Sequence, residues 1–154
     1  MTYTPMVAFP MNVSIAPAAQ DDLPAMLDLV ARSNLPQAGL AAHLGSALVA
    51  REGDRIIGCV AVELYGSAAL LRSLTVDVAH RGLGLGIQLT QALLALARER
   101  GVRTLYLLTE TAAEFFPRFG FRPVPRAQVD PAVQRSVEFT TACSASALVM
   151  RLQL

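Results

Sequence analysis

The sequence predicts an α+β fold, a single domain whose central mixed sheet is mostly antiparallel, contains one parallel pair of strands and is flanked by helices. The length of 154 residues is close to the ~150 residues of one domain. Tight-turn dipeptides at 53–54 and 66–67 join three apolar runs into an antiparallel meander. A glycine-rich turn, an amphipathic helix and another apolar run follow, and a strand after a crossover helix is expected to lie parallel to the strand before it.

The first part of the chain is expected to begin with a flexible extension over residues 1–10, and residues 11–154 are expected to form the domain. A short strand is predicted around residues 12–16. Asp21 or Asp22 can cap the helix that follows. The buried stripe of that helix is expected from apolar residues at i, i+3, i+4 and i+7, which are Leu23, Met26, Leu27 and Val30.

The middle of the chain contains the meander and the crossover helix. Pro36 is predicted to open a second short helix that ends near Gly45. The three strands of the meander are then predicted at residues 47–51, 55–64 and 68–76. The crossover helix is predicted over residues 87–100, and the strand at 104–109 is expected to pair in parallel with the last strand of the meander.

The last part of the chain is expected to close the sheet. Thr109 or Thr111 can cap a further short helix that runs through Phe119. The final two strands are predicted at residues 121–125 and 145–152, with a Pro-containing segment between them.

Composition and charge exclude several classes of function. Thirteen basic residues, all of them Arg, oppose twelve acids and leave a formal net charge of +1, far from the basic excess of a general phosphate-backbone binder. No apolar run reaches the ~20 residues that span a bilayer, and residues 1–19 lack the positively charged start of a secretory signal. We therefore expect a cytoplasmic protein that binds neither nucleic acid nor membrane, with Cys59 and Cys143 reduced and no metal site.

The chain is also unusually apolar. Hydrophobic residues make up 53% and charged residues 16% of it, whereas charged residues are ~25% of an average soluble domain. This composition predicts apolar surface that another subunit covers in a homodimer. An Ala-rich and Leu-rich monomer explains it equally well, so both states stay open.

Glycines at positions 82, 84 and 86 alternate between a predicted strand and a predicted helix. Such a run is costly for folding unless the backbone approaches a ligand closely or adopts φ > 0. Successive N–H groups from 81 to 87, with the positive end of the helix dipole behind them, form a suitable site for a pyrophosphate. Arg81 adds a cation at the rim. The alternative is a tight turn whose glycines serve packing only.

Two other nucleotide-binding loops do not fit this spacing. The dinucleotide motif G-x-G-x-x-G requires glycine where Ile87 stands, and the triphosphatase loop requires a Lys, which this chain lacks. Both motifs also come early in a series of alternating strands and helices, whereas a meander precedes the glycines here. A different phosphate-bearing ligand is therefore expected.

Residues 81–86 read Arg-Gly-Leu-Gly-Leu-Gly and match the acetyl-CoA loop pattern [QR]-x-x-G-x-[GA] of the GNAT superfamily of N-acetyltransferases, which the sequence resembles. Residues 74–76 are similar to the strand that holds the pantetheine arm in that family, and residues 115–121 to its F-Y-x-x-x-G-F segment. More narrowly, three segments look like the branch of arsenic-resistance N-acetyltransferases: 70–74, 105–109 and 143–147.

The resemblance implies that an amine attacks the thioester of acetyl-CoA directly, with no metal. The implied acceptor is the primary amine of a small, anionic, amino-acid-like compound, such as a glutamate analogue bearing arsenic or phosphinate, in a resistance or detoxification role. The backbone N–H of Val76 is the expected donor to the oxyanion. The residues implied to bind the cosubstrate are Leu74 and Val76 in the strand, and Arg81, Gly82, Leu83, Gly84, Leu85 and Gly86 in the loop.

The catalytic acid and base are less directly indicated. The Tyr that commonly protonates the leaving thiolate in this family would stand at Phe116, whose ring donates no proton. Tyr106, Tyr65 or a water can replace it, and a thiolate is also a tolerable leaving group without an acid. Glu63 and Glu110 are the candidates for the base. The alternatives are that Glu63 points into solvent, and that Glu110 is a solvated or helix-capping carboxylate.

Arg72 stands in an otherwise apolar strand, where an unpaired guanidinium would be costly. Its planar fork suits a carboxylate, phosphinate or arsenic oxyacid group, so Arg72 and its neighbour Ser73 are assigned to the acceptor site. An edge position, or an internal ion pair with Glu63 across the meander, is the alternative. For the whole chain, the alternatives are a CoA-binding sensor or regulatory module with weak catalysis, and a peptide or protein N-acetyltransferase.

Overall fold

The structure is a computed structural model that describes residues 12–154. The extension predicted at residues 1–10 lies outside the described residues. The strands and helices are β1 (Val13–Pro17), α1 (Leu23–Arg32), β2 (Ala47–Glu52), β3 (Arg55–Tyr65), β4 (Ala68–Val76), α2 (Leu85–Glu99), β5 (Thr104–Thr109), β6 (Arg122–Pro123) and β7 (Leu148–Gln153). Short 3₁₀ turns connect several of them, and a π-helical turn over Glu138–Ala142 precedes β7.

The strands form one mixed sheet in the order β1-β2-β3-β4-β5-β7-β6. The pairing of β4 with β5 is parallel, and every other neighbouring pair is antiparallel. Short hairpins join β2 to β3 and β3 to β4, while α2 forms the crossover from β4 to β5. The predicted fold class, including its single parallel pair, is confirmed.

The two helices pack on opposite faces of the sheet. Successive residues of a strand point to opposite faces, so β3 contributes side chains to the packing against both helices. On one face α2 buries Leu89 and Leu93 against Val60 and Val62 of β3. On the other face α1 packs with β2 and β3 in a second cluster, which contains Met26, Val30, Val49, Cys59 and Ala61. The central strand β3 is consequently buried on both sides over most of its length.

β4 and β5 separate toward their carboxyl ends. They pair only from Ala68 opposite Thr104 to Leu70 opposite Tyr106, although β4 continues to Val76. The register of β4 against β3 shifts over the same stretch, where Ser73 adopts φ +62. A left-handed conformation in a non-glycine residue of a strand is unusual and marks an irregularity that bends β4 away from a regular ladder.

The ends of several elements differ from the sequence prediction. The crossover helix begins at Leu85 rather than at residue 87, because Gly84 takes the left-handed N-cap conformation (φ +84) directly before it. The second short helix begins at Leu40, after a left-handed Gly39, and is a 3₁₀ turn ending at Ser46. The strand predicted at 121–125 is reduced to Arg122–Pro123, since prolines cannot donate to the ladder.

Two predicted caps also differ. The Asp22 carboxylate does not cap α1; it accepts hydrogen bonds from the Ala19 N–H and the Arg51 guanidinium. Thr109 accepts a hydrogen bond from the Ala112 N–H, but the helix after it begins only at Phe116. Within residues 12–154, no helix has the length and apolar character to cross a membrane.

Candidate active site

A cleft of about 1550 Å³ opens where β4 and β5 separate. Residues 71–76 of β4 and 107–109 of β5 form two of its walls. The glycine turn and the first residues of α2 line one end, and the segment 33–36 lines another side. The cleft therefore brings the predicted phosphate loop and the irregular part of β4 to the same space.

The glycine turn has the backbone conformation that its sequence predicts. Gly82 and Gly84 adopt φ +83 and φ +84, in the left-handed region that side chains rarely enter. A Cβ placed on Gly82 would meet no atom within 4 Å, so packing within the protein does not require glycine there. Gly84 is the N-cap of α2, and the first N–H groups of a helix have no intrahelical acceptors. The turn is thus suited to bind an anionic group such as a pyrophosphate.

The other residues assigned to the loop lie in different surroundings. Arg81 Nε donates a 2.9 Å hydrogen bond to the Val76 carbonyl, which ties the turn to the end of β4. Gly86 lies inside α2, where an added Cβ would contact Phe115 at 3.7 Å. Leu85 is buried in the core and still borders the cleft. Leu83 points outward, with 36% of its surface exposed, and does not line the cleft.

Arg72 is fully buried at the wall of the cleft and contacts two carboxylates. Its Nη1 donates to Glu63 Oε2 at 2.8 Å, and its Nε lies 3.2 Å from Glu138 Oε2. Nη2 donates to the Pro36 carbonyl at 3.1 Å, and Nε also reaches the Ser73 hydroxyl. The internal ion pair with Glu63, which the sequence left as an alternative, is present.

Glu63 is buried on β3 with 1% of its side chain exposed and does not line the cleft. Burial disfavours its charged form, but hydrogen bonds from Tyr65, Ser136 and Arg72 outweigh burial and hold the pKa of Glu63 below its usual value. The Tyr65 hydroxyl donates to Glu63, and burial together with this carboxylate raises the pKa of Tyr65 to about 12. In this structure Glu63 is therefore a structural counter-ion of Arg72, and the alternative of a solvated Glu63 is wrong.

The structure separates Tyr106 and Glu110, which the sequence placed together as catalytic candidates. Tyr106 is buried on the far side of β5 among Val129, Val133 and Val149, and its hydroxyl accepts from the Asp130 N–H at 3.3 Å. It does not line the cleft, because alternation along β5 directs its side chain away. Glu110 does line the cleft and is exposed to solvent.

Phe116 borders the cleft at the place where the sequence resemblance implied a Tyr. It is 5% exposed and packs edge-to-face on Phe115 and Phe121, with ring centroids 5.1 and 5.6 Å apart. An aromatic cluster of this kind stabilises the wall of the cleft. The Phe116 ring supplies no proton.

Sequence reasoning missed Glu138, which begins the π-helical turn and lines the cleft with only 4% of the residue exposed. Burial raises the pKa of Glu138 to about 7; the Arg72 charge opposes this rise and the Glu63 charge adds to it. Glu138 is the one acid after Asp130 in the sequence, a signal that could have drawn attention to it.

Cys143 ends the same turn, and its thiol lies 3.8 Å from Glu138 Oε1. Burial, with the charges on Glu138 and Glu110, raises the pKa of Cys143 to about 12. A thiol with that pKa is almost wholly protonated at neutral pH and is a poor nucleophile. Among residues 12–154, no group of three His, Cys, Asp or Glu side chains is arranged to hold a metal ion.

The chain is similar to several known proteins. [Citrate [pro-3S]-lyase] ligase of Klebsiella pneumoniae is 33% identical over 92 residues, which cover 59% of this chain and 26% of that protein. The chain therefore spans about a quarter of the length of this curated relative. The solved structure of Rv2747 from Mycobacterium tuberculosis, in complex with CoA and NLQ, is 25% identical and superposes with a TM-score of 0.77 over 92% of this chain and 99% of that one.

A second solved structure shares the fold at lower identity. N-acetylglutamate synthase from Neisseria gonorrhoeae, complexed with coenzyme A and N-acetyl-glutamate, is 17% identical with a TM-score of 0.80, covering 95% of this chain and 36% of that one. A family model described as an acetyltransferase (GNAT) domain matches residues 43–123. Because this match spans more than half of the chain and includes the glycine turn and both walls of the cleft, the chain belongs to the GNAT acetyltransferase family.

Proposed function

We propose that this acetyltransferase moves acetyl from acetyl-CoA to the primary amine of a small, anionic, amino-acid-like compound. Within that class, we propose a glutamate analogue that carries arsenic or phosphinate, acetylated in a resistance or detoxification role. The observation that carries the proposal is the meeting of the open glycine turn and the Arg72–Glu138 pair in one cleft.

The cosubstrate half of the proposal rests on the glycine turn. We assign the pyrophosphate of acetyl-CoA to the N–H groups at Gly82 to Gly86, where two left-handed glycines and the N-terminus of α2 favour an anion. Leu74 and Val76 line the route from the turn into the cleft, beside the irregular stretch of β4. This placement supports an extended thioester arm that lies between the separated strands. Leu83, which faces outward, has no part in this assignment.

The acceptor half rests on charge complementarity. Arg72 and Glu138 carry opposite charges 3.2 Å apart on the cleft wall, and an amino acid carries an ammonium and an anionic group at similarly short separation. An anionic group of the acceptor would approach the Arg72 guanidinium on the side where it meets Ser73 and the Glu138 carboxylate. The ammonium would then face Glu138. The more exposed Glu110 lies on the same cleft and adds negative potential for an incoming amine.

The known relatives are compatible with an acceptor of this size. The Neisseria enzyme is named for N-acetylglutamate and holds N-acetyl-glutamate beside coenzyme A. The narrower choice of an arsenic or phosphinate compound is supported by the resemblance of residues 70–74, 105–109 and 143–147 to arsenic-resistance N-acetyltransferases. The homodimer stays a prediction from composition, and the cytoplasmic location stays a prediction from the sequence.

A panel of amines tests the proposal. Purified protein is incubated with acetyl-CoA and glutamate, glutamate analogues bearing phosphinate or arsenic groups, uncharged amines of similar size, and a peptide with a free N-terminus. CoA thiol release gives the rate, and mass spectrometry identifies the N-acetyl product. We expect the highest kcat/KM on an anionic amino acid analogue.

Two outcomes would contradict the proposal in different ways. Preference for the peptide would make the protein a peptide N-acetyltransferase and would remove Arg72 from acceptor recognition. Tight acetyl-CoA binding by calorimetry, without thiol release on any amine, would make it a CoA-binding module. The second outcome is worth testing because Phe116 stands where a Tyr would protonate the thiolate.

A further inference from the structure

Two carboxylates contact a single guanidinium at the acceptor end of the cleft. Arg72 Nη1 lies 2.8 Å from Glu63 Oε2, and Arg72 Nε lies 3.2 Å from Glu138 Oε2. One positive charge compensates one carboxylate, so a second carboxylate in the same buried cluster carries an excess negative charge. His43 Nε2 is 3.7 Å from Glu63 Oε2, on the Glu63 side of the cluster.

The two carboxylates differ in what surrounds them. Glu63 accepts hydrogen bonds from Tyr65 and Arg72 and does not line the cleft. Glu138 is held by the longer contact to Arg72 and by the Cys143 thiol, and it borders the cleft. Hydrogen bonding favours the charged form of Glu63, whereas burial makes the charged form of Glu138 costly.

Charged and titratable side chains face Glu138 from three places in the fold. Arg72 faces it from β4 and Glu63 from β3, while Cys143 lies at the end of its own turn. The segment 36–39 contributes the Pro36 carbonyl to the same guanidinium and contains no ionisable side chain. The preceding 3₁₀ turn ends at Arg135, which is exposed. Of the two carboxylates that contact Arg72, Glu138 lines the cleft and Glu63 does not.

We propose that Glu138 is the base that takes the proton from the ammonium of the acceptor, a role that rests on the proposed acetyl transfer to an amine. At neutral pH both protonation states of Glu138 are populated, because burial raises its pKa to about 7. A base is most effective when its pKa lies near the working pH. Glu110 lies on the same cleft but is exposed to solvent.

One proton moves from the acceptor ammonium to the Glu138 carboxylate, directly or through one water, and leaves a neutral amine. The amine nitrogen forms a bond to the thioester carbonyl carbon, and collapse of the tetrahedral intermediate breaks the carbon–sulfur bond. The second nitrogen proton ends on the CoA sulfur, and Glu138 releases its proton to solvent. The products are the N-acetyl compound, CoA thiol and one proton.

Glu138→Gln tests this role, since glutamine keeps the shape of the side chain and cannot accept the ammonium proton. For the wild-type protein we expect kcat/KM for the acceptor to fall below an apparent pKa of about 7, as the base of the free enzyme becomes protonated. In Glu138→Gln we expect kcat to drop by roughly 10²- to 10⁴-fold, the range for loss of a general base, and the acidic limb to disappear. Acetyl-CoA affinity by calorimetry should be unchanged.

The matched control is Glu99→Gln, which removes an exposed carboxylate at the end of α2, far from the cleft. It should retain wild-type kcat and the acidic limb. Retention of both by Glu138→Gln would overturn the proposal. A raised acceptor KM with unchanged kcat would also overturn it, because Glu138 would then only bind the acceptor.

Further measurements keep the proposal testable if Glu138→Gln fails to fold. Glu138→Asp retains a carboxylate, so it should show reduced kcat with the acidic limb preserved; loss of the limb would contradict the base role. Carbon-13 NMR of Glu-labelled wild-type protein should show one carboxyl titrating near pH 7. The absence of any Glu carboxyl that titrates near pH 7 would overturn the proposal without any substrate.

The assay also separates the failure of this role from the failure of the proposed acceptor. It uses whichever amine the wild-type protein acetylates best, because the base role does not depend on the acceptor being anionic. Preference for an uncharged amine would overturn the proposed acceptor and leave the Glu138 test intact. Absence of turnover on every amine would overturn both, and it would appear in the wild-type assay before any variant is compared.

Discussion

Arg72 and Glu63 form a buried ion pair between neighbouring strands, with Nη1 and Oε2 2.8 Å apart and at most 1% of either side chain exposed. In the β3–β4 ladder, Ala61 lies opposite Arg72 and Glu63 lies opposite Leu70, so the pair is a diagonal contact on one sheet face. Removing one member of a buried pair leaves an uncompensated charge, at a cost of ~3–5 kcal/mol. The ion pair therefore stabilises the cleft wall and compensates the charge of Arg72 there.

Arg72→Lys should lower the melting temperature in the absence of ligand and raise the acceptor KM. A lysine ammonium keeps the charge, but it lacks the planar fork that serves Glu63, Pro36 and Glu138 together. For a charge-assisted contact of ~1.5–3 kcal/mol, the acceptor KM should rise by roughly 10- to 150-fold. Scanning calorimetry and steady-state kinetics measure the two effects, and acetyl-CoA affinity should stay constant.

Arg98→Lys is the matched control, since Arg98 is exposed on α2. It should change neither quantity. A lowered melting temperature of Arg72→Lys with an unchanged acceptor KM would remove Arg72 from the acceptor site and leave it a structural role only.

Gly82→Val should weaken acetyl-CoA binding, whereas Gly101→Val should not. Both glycines have nearly the same left-handed conformation, φ +83 and φ +82, and a Cβ on either meets no atom within 4 Å. Both variants should therefore lose comparable stability from backbone strain. Only Gly82 lies at the cleft, where a side chain would come between the loop N–H groups and a pyrophosphate. Equal acetyl-CoA affinity of the two variants by calorimetry would make the turn purely structural.

The sheet and the glycine turn could be predicted because their signals are local in the sequence. Gly53 and Gly66 adopt φ +61 and φ +74 in the hairpins that their dipeptides indicate. The alternating glycines at 82 and 84 likewise take the conformation that makes glycine necessary. The predicted start of α2 is two residues too late, because no local sequence signal marks the boundary between the turn and the helix.

The acceptor end of the cleft could not be predicted to the same extent, because its contacts join distant parts of the chain. Glu138 meets Arg72 only through tertiary packing, and its π-helical turn has no periodic pattern. Tyr106 is a candidate from the sequence because it could replace the Tyr missing at Phe116, but one sequence does not say which sheet face a buried aromatic residue occupies. The ion pair of Arg72 with Glu63 was among the alternatives because the meander brings their strands together.

Phe116→Tyr should change kcat by far less than the ~100-fold minimum typical of a general acid. The CoA thiolate is a tolerable leaving group, and the nitrogen proton released on collapse can reach the sulfur. The added hydroxyl extends a ring that packs against Phe115 and Phe121, so a modest fall in melting temperature is expected from crowding. Turnover rates measured at several pH values provide the check. A 100-fold gain in kcat would show that the missing Tyr limits catalysis.

Glu138→Gln should become more stable relative to the wild-type protein as the pH rises. Burial raises the pKa of Glu138 from its ordinary value of 4.5 to about 7, so the folded state binds this proton more tightly than the unfolded state. The resulting stabilisation is fully present below pH 4.5 and is lost as pH rises through about 7, where the carboxylate must ionise in a buried site. Glutamine stays neutral throughout, so the melting temperature of the variant minus that of the wild type should increase from pH 4.5 to slightly above pH 7 and then level off. The exposed Glu99→Gln, measured over the same pH range, is the matched control. A difference for Glu138→Gln that is constant with pH would mean that Glu138 is already ionised at pH 5, held as a permanent counter-ion by Arg72.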